Sequence, residues 1–170
     1  MDATVGGASS NSYITQANAD AYFVNRLYSD SYDDATSGNK DAALIWATAL
    51  LDTLCDWEGG IVTETQALAF PRNGIVDKEG RAYSTTAIPA PITTATCELA
   101  LALLQRDRLI DPEVFGQGFS QAQVETLNVT VDKKMILDIL PQTVIVEVLQ
   151  LGELEPGAVA GSKVVNLIRG

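Results

Sequence analysis

A chain of 170 residues with 46% hydrophobic side chains can enclose one core of ordinary size without disulfide staples. Its 11 basic and 22 acidic side chains leave a net charge of -11, and histidine is absent. That balance argues against a surface built to grip phosphates, and the missing imidazole removes the commonest general base and metal ligand, which counts against an enzyme.

Taken in order, residues 1–12 are rich in Gly, Ser, Ala and Asn without periodicity, so they read as a flexible arm that orders only against a neighbour. They lack the basic start and apolar stretch of a secretion signal. No run of about 18 apolar residues occurs anywhere, which predicts a soluble intracellular protein. Thr15 suits an N-cap, and Ala17, Ala21, Val24 and Tyr28 recur on one face, predicting a helix over about 16–28. Tyr13, Phe23 and Leu27 flank that stripe as core residues. Ser29 to Asn39 is a polar loop whose Asp33/Asp34 pair lacks the alternating spacing of a calcium loop and reads as solvated surface.

Ser37 is a candidate cap for a second helix over about 39–57, with Ala43, Leu44, Ala47, Leu50, Leu51, Leu54 and Trp57 as a wide apolar stripe. Ile45 and Trp46 fall outside the centre of that stripe. Trp46 fits either more core or a side chain left exposed on one subunit and covered by the next. Cys55 and Cys97 sit in apolar segments. Two cysteines without histidine make no ordinary zinc site, and they read as buried free thiols in preference to a disulfide.

From Gly59 to Pro89 the pattern is that of a shaped connection between helices. Pro71 pushes Phe70 towards extended geometry, Asn73-Gly74 tolerates positive φ, Asp77-Lys-Glu-Gly80 adds a second turn, and Leu68 and Phe70 supply apolar anchors. Ile88-Pro-Ala-Pro-Ile92 then opens a third helix over about 90–108, apolar nearly all round, which belongs in the centre of a bundle. Arg106 and Arg108 stand at its end. Complementing the negative helix end is the preferred reading for them, ahead of phosphate or partner recognition.

Gly and Pro residues between 111 and 123 predict a loop carrying Phe115 and Phe119, and residues 124–132 alternate as a half-buried strand. Residues 142–151 show helical spacing after Pro141, and a helix is expected there although Thr143 to Val148 favours strand by propensity. Residues 152–161 read as a linker. The terminal Lys163 to Arg169 reads as a docking strand for a partner's sheet, with folding back onto 124–132 as the alternative.

The block Gln66-Ala-Leu-Ala-Phe-Pro-Arg72 with Gly74, Asp77 and Gly80, then Ile88-Pro89 and Cys97 to Leu103, together with the opening Asn11 to Phe23, resembles a family of small proteins of tailed bacteriophages. These are known as head-tail connector, or adaptor, proteins, and some carry the label DnaT-like single-stranded-DNA-binding protein. The resemblance covers roughly residues 11–108, with Phe70 where the family pattern has Trp. It implies a non-enzymatic virion protein at the neck, present in the host cytoplasm before assembly. Many copies would form a ring beneath the portal and join it to the tail, with duplex DNA passing through the lumen unbound. The partners so implied are the portal protein, a tail or tail-completion protein and the chain itself, with no membrane and no cofactor.

The expected fold class is mainly α: a small helical bundle with a long irregular interhelical connection, a short β element and an extended C-terminal tail. Residues 1–12 form the arm, 13–151 the helical domain and 152–170 the linker and docking tail. Val164, Val165, Leu167, Ile168 and Arg169 are the expected portal contacts, and Trp46, Phe70, Arg72 and Phe115 the expected contacts between copies. A single-stranded-DNA-binding replication accessory is the alternative function, and a neck or tail-completion protein the third.

Overall fold

A computed structural model describes residues 1–108 and 140–154. In chain order its helices are α1 (Gln16–Phe23), α2 (Asp30–Asp33), α3 (Ser37–Leu54), α4 (Ala90–Gln105) and α5 (Gln142–Val148). Its strands are β1 (Cys55–Trp57), β2 (Gly60–Ile61), β3 (Arg72–Asn73) and β4 (Gly152–Leu154). This is the mainly helical architecture with a long irregular connection that the sequence predicts, and α5 forms where propensity alone favours strand. No helix among the described residues is long and apolar enough to cross a membrane.

Helix α4 is the centre. Proline in its first turn suits the fixed φ of a helix start. From Ile92 to Ala102 nearly every side chain is then buried, on all faces. A helix that presents no polar side must be enclosed, and α3 packs along one flank while α5 and the short α2 cover others. Helix α3 contributes Ala43, Leu44, Ala47, Thr48 and Leu51, and α5 contributes Val144, Ile145 and Val148. Thr36 caps α3, accepting from the Asn39 amide at 3.3 Å, one residue before the Ser37 expected for that role.

Three local expectations are corrected. Helix α1 begins behind the Thr15 cap as predicted, but it stops at Phe23 and turns a different face inward: Ala19 and Phe23 are buried, while Val24 and Tyr28 are 81% and 83% exposed. The reason is aromatic. The Phe23 ring stacks on Tyr32 at 4.0 Å between centroids, a contact that Ala17 and Ala21 cannot match, and Tyr32 is itself fully buried within what reads by composition as a solvated loop.

The first twelve residues fold on this chain itself. The Asn11 and Ser12 amides donate to Asp2 O at 2.9 and 3.1 Å, and the Ala67 amide donates to Gly7 O at 3.0 Å, tying the arm to the interhelical connection. Small polar residues suit this because each backbone group that leaves water needs a partner.

The helix expected to run through Trp57 ends at Leu54, because the next three residues pair antiparallel with β4 in the register Cys55↔Leu154, Asp56↔Glu153 and Trp57↔Gly152. Gly152, read as the start of a linker, is thus a ladder position. The expected strand at 124–132, the loop bearing Phe115 and Phe119, and the tail beyond residue 154 lie outside the described residues.

A Cβ on Gly152 would lie 2.3 Å from Asp56 O, a backbone atom with little room to move. Gly152→Ala is therefore expected to destabilise the fold by about 2–4 kcal/mol in urea unfolding, far above the few tenths typical of an open linker position.

Candidate functional site

The connection between α3 and α4 is built around Phe70, Pro71 and Arg72. The Phe70–Pro71 peptide is cis. Phe70, 1% exposed, has Tyr13 edge-on at 5.9 Å and Trp57 edge-on at 5.0 Å. Arg72 turns its guanidinium onto backbone carbonyls, with Nε donating to Glu58 O at 2.6 Å and Nη2 to Trp57 O at 3.0 Å and Gly59 O at 2.8 Å. Those carbonyls lie where the chain leaves β1, at Gly59 with φ of +69°, so arginine holds together a turn that only glycine adopts without strain.

Gln66 does similar work nearby: its Oε1 accepts from the Val62 and Thr63 amides at 3.0 Å each, and its Nε2 donates to Leu68 O and Pro71 O. The Asp52 carboxylate at the end of α3 accepts from the Tyr13 hydroxyl and from the Ala69 amide. Residues expected at an interface between copies are thus placed otherwise. Phe70 lies in the chain's own core and Arg72 is spent on the chain's own backbone. Because a guanidinium fork spans several carbonyls and an ammonium cannot, Arg72→Lys is expected to cost about 1–3 kcal/mol of stability, read as a lowered melting temperature.

Trp46 is different. It stands on the outer face of α3, 52% exposed, beside Ala42 and two turns from Asn39. Leu103 and Leu104 on α4 are only partly covered and form the opposite wall, so the two helices enclose a shallow apolar groove of about 400 Å³ that ends at Asp107. The spacing predicts one part of this: Trp46 lies off the core stripe of its own helix.

On the far side of α4, Glu98 is buried to 7% exposure. Arg26 meets it with a two-nitrogen fork, Nε at 2.6 Å from Oε1 and Nη2 at 3.0 Å from Oε2, and the Tyr22 hydroxyl donates to Oε1 at 2.6 Å. Burial pushes the Glu98 carboxyl up, but the hydrogen bonds from Arg26 and Tyr22 and the positive charge of Arg26 outweigh it and hold the group below the usual carboxylate range. The Tyr22 hydroxyl moves up, through burial and the carboxylate beside it. Asp52 has the opposite sign: burial lifts its carboxyl above the usual value despite the bonds it accepts.

A depressed carboxyl stabilises the fold above its unfolded pKa and loses that contribution as pH falls through the folded value. Glu98→Gln is therefore expected to cost about 1–2 kcal/mol near neutral pH, an estimate reduced because Arg26 is 31% exposed. The gap to the parent should narrow as pH is lowered below about 4.5. Urea titrations of both proteins across that range would measure it. Sequence reasoning missed this constellation. Its signal is a lone carboxylate in the middle of a helix apolar on every side, which requires an internal donor.

Among the described residues no group of His, Cys, Asp and Glu could hold a metal ion. Cys55 and Cys97 are buried thiols outside any disulfide, as the sequence suggests, and burial with Glu98 alongside pushes the Cys97 thiol up to about 12, away from reactivity. The expected portal residues Val164, Val165, Leu167, Ile168 and Arg169, and Phe115, lie outside the described residues.

A family model described as "Putative DnaT-like ssDNA binding protein" matches residues 1–144. No curated protein and no solved structure matches the chain.

Proposed function

This chain belongs to the DnaT-like family matched over residues 1–144, and on that premise we propose that it is a non-enzymatic assembly subunit whose contacts are made to other polypeptides. The partner set implied by the resemblance at Gln66 to Arg72 is that of a head-tail connector of a tailed bacteriophage. In this reading copies stand side by side in a ring at the virion neck, between the portal and the tail or tail-completion protein, and duplex DNA crosses the lumen without being held.

The observation that carries the proposal is the exposed indole of Trp46 in the apolar groove between α3 and α4. Aromatic side chains in such positions are the usual anchors of interfaces between proteins. Charge supports the same direction. Arg26 is bound to Glu98, Lys40 to Asp20 and the Tyr32 ring, Arg72 to three carbonyls of the β1–β2 turn, and Arg81 to Asp77. Cations already paired with carboxylates or carbonyls contribute little to a phosphate-tracking groove, and a net charge of -11 suits a wall past which DNA slides.

The second reading is a single-stranded-DNA-binding accessory protein, and what favours it is the family's own description. The two readings differ in what they bind and in their response to salt. A strand binder tracking many phosphates loses affinity steeply as salt rises, and a ring subunit does not.

Replacing Trp46 by Ala tests the first reading. The variant is expected to stay within about 0.5 kcal/mol of the parent in stability, since half of the side chain is already in water, but to lose ring formation on co-expressed portal particles viewed by electron microscopy. Rings formed as readily by Trp46→Ala as by the parent would remove the groove from the assembly interface.

A further inference from the structure

We propose that copies of this chain join through two different faces: the Trp46 groove of one copy packs onto the recess between α1, α4 and α5 of the next, with the indole seated against Val146. The proposal rests on the assembly reading and adds to it the surface that receives Trp46.

The receiving recess holds about 460 Å³ and is lined by Tyr22 and Arg26, by Thr94 and Glu98 of α4, and by Thr143 and Val146 of α5. A cavity of roughly 150 Å³ takes a benzene ring, so an indole fits this volume. Val146 is 54% exposed and Leu149, just beyond the end of α5, is 57% exposed, which leaves two aliphatic side chains uncovered at this flank. Glu98 already accepts from Arg26 and from the Tyr22 hydroxyl, so a neighbour that covers it strands no unpaired charge there. Gln142 and Glu147 complete the lining and offer acceptors for the indole N–H, which needs a partner once buried.

The two faces stand on opposite sides of α4. Thr94 and Leu103, like Glu98 and Asp107, are nine residues apart, about two and a half turns of helix, so the pair lining the recess points away from the pair lining the groove. Unlike patches on opposite sides make a head-to-tail contact that every added copy repeats, and such a contact closes a ring when the rotation between copies allows it. A face that met only itself would stop at a dimer.

Charge selects a second copy as the occupant. Two chains of net charge -11 repel, and they approach most easily through surface that carries no charge. The exposed side of α3 is such a surface, with Asn39, Ala42, Trp46, Ala49 and Thr53 along it, while Lys40 and Asp52 of the same helix are bonded to Asp20 and Tyr13. The exposed residues of α5, Gln142, Thr143 and Val146, are uncharged as well. A neutral face with tryptophan at its middle matches a neutral recess with uncovered aliphatic groups, and each copy carries both.

The test uses the full chain co-expressed with portal particles. Ala42 lines the groove beside Trp46, and Val146 lines the recess, so a chain carrying both Ala42→Cys and Val146→Cys is expected to link copy to copy under mild oxidation. A non-reducing gel of the assembled rings should show a ladder of covalent oligomers, and either single variant should run as a monomer. Val146→Glu is expected to melt with the parent, since the side chain is half in water, and to lower ring formation about tenfold or more. Val76→Glu, which adds the same charge at a 50% exposed position outside both recesses, is expected to assemble like the parent. Rings in which the cysteine pair stays unlinked, links formed by Ala42→Cys alone, or equal loss for Val146→Glu and Val76→Glu would each overturn the pairing of faces while leaving the assembly reading in place. Absence of rings from the parent overturns the assembly reading itself, and this pairing with it.

Discussion

Helix α4 has no side that water can cover, and most of the architecture answers that one constraint. Leaving Ile92, Leu99 and Leu101 of this helix exposed would cost about 1.5–3 kcal/mol for each large side chain. Helix α3 closes one flank and α5, far along the chain, closes another. The connection from Gly59 to Pro89 is shaped to bring α3 and α4 together, and its stiffness comes from polar groups bonded to backbone. Arg72, Gln66 and Asp52 between them satisfy carbonyls and amides of an irregular segment that no helix or long ladder could satisfy.

The same constraint explains the buried charge of Glu98. This carboxylate has little access to water, so it is tolerable only because Arg26 and Tyr22 reach it from the α1 end of the chain. That arrangement places positive charge and an exposed tyrosine at one wall of α4, while the incomplete cover by α3 leaves an apolar groove at the other. The α3–α4 pair thereby carries an oily groove with Trp46, and α4 with the Arg26–Tyr28 turn a polar recess.

Family membership rests on the match over residues 1–144, and the family's description names single-stranded DNA. The chain's charge is at odds with an extended strand-binding groove, and several of its cations are already paired with carboxylates of the same chain.

By itself the sequence determined the helical class, the Thr15 cap, the core faces of α3 and α4, the free buried thiols, the non-helical bridge at Pro71 and the candidacy of Trp46. These follow from local chemistry: the period of apolar residues, the missing amide of proline and the side-chain oxygen of a cap. Only the tertiary structure decided which face of α1 turns inward, that the first twelve residues fold onto the bridge, that Gly152 completes a ladder with Trp57, that Phe70 and Arg72 serve the interior, and that Arg26 belongs to Glu98. Most of those depend on a partner tens of residues away. A ring finds its stacking partner, and a carboxylate its cation, only once the chain has brought distant segments together.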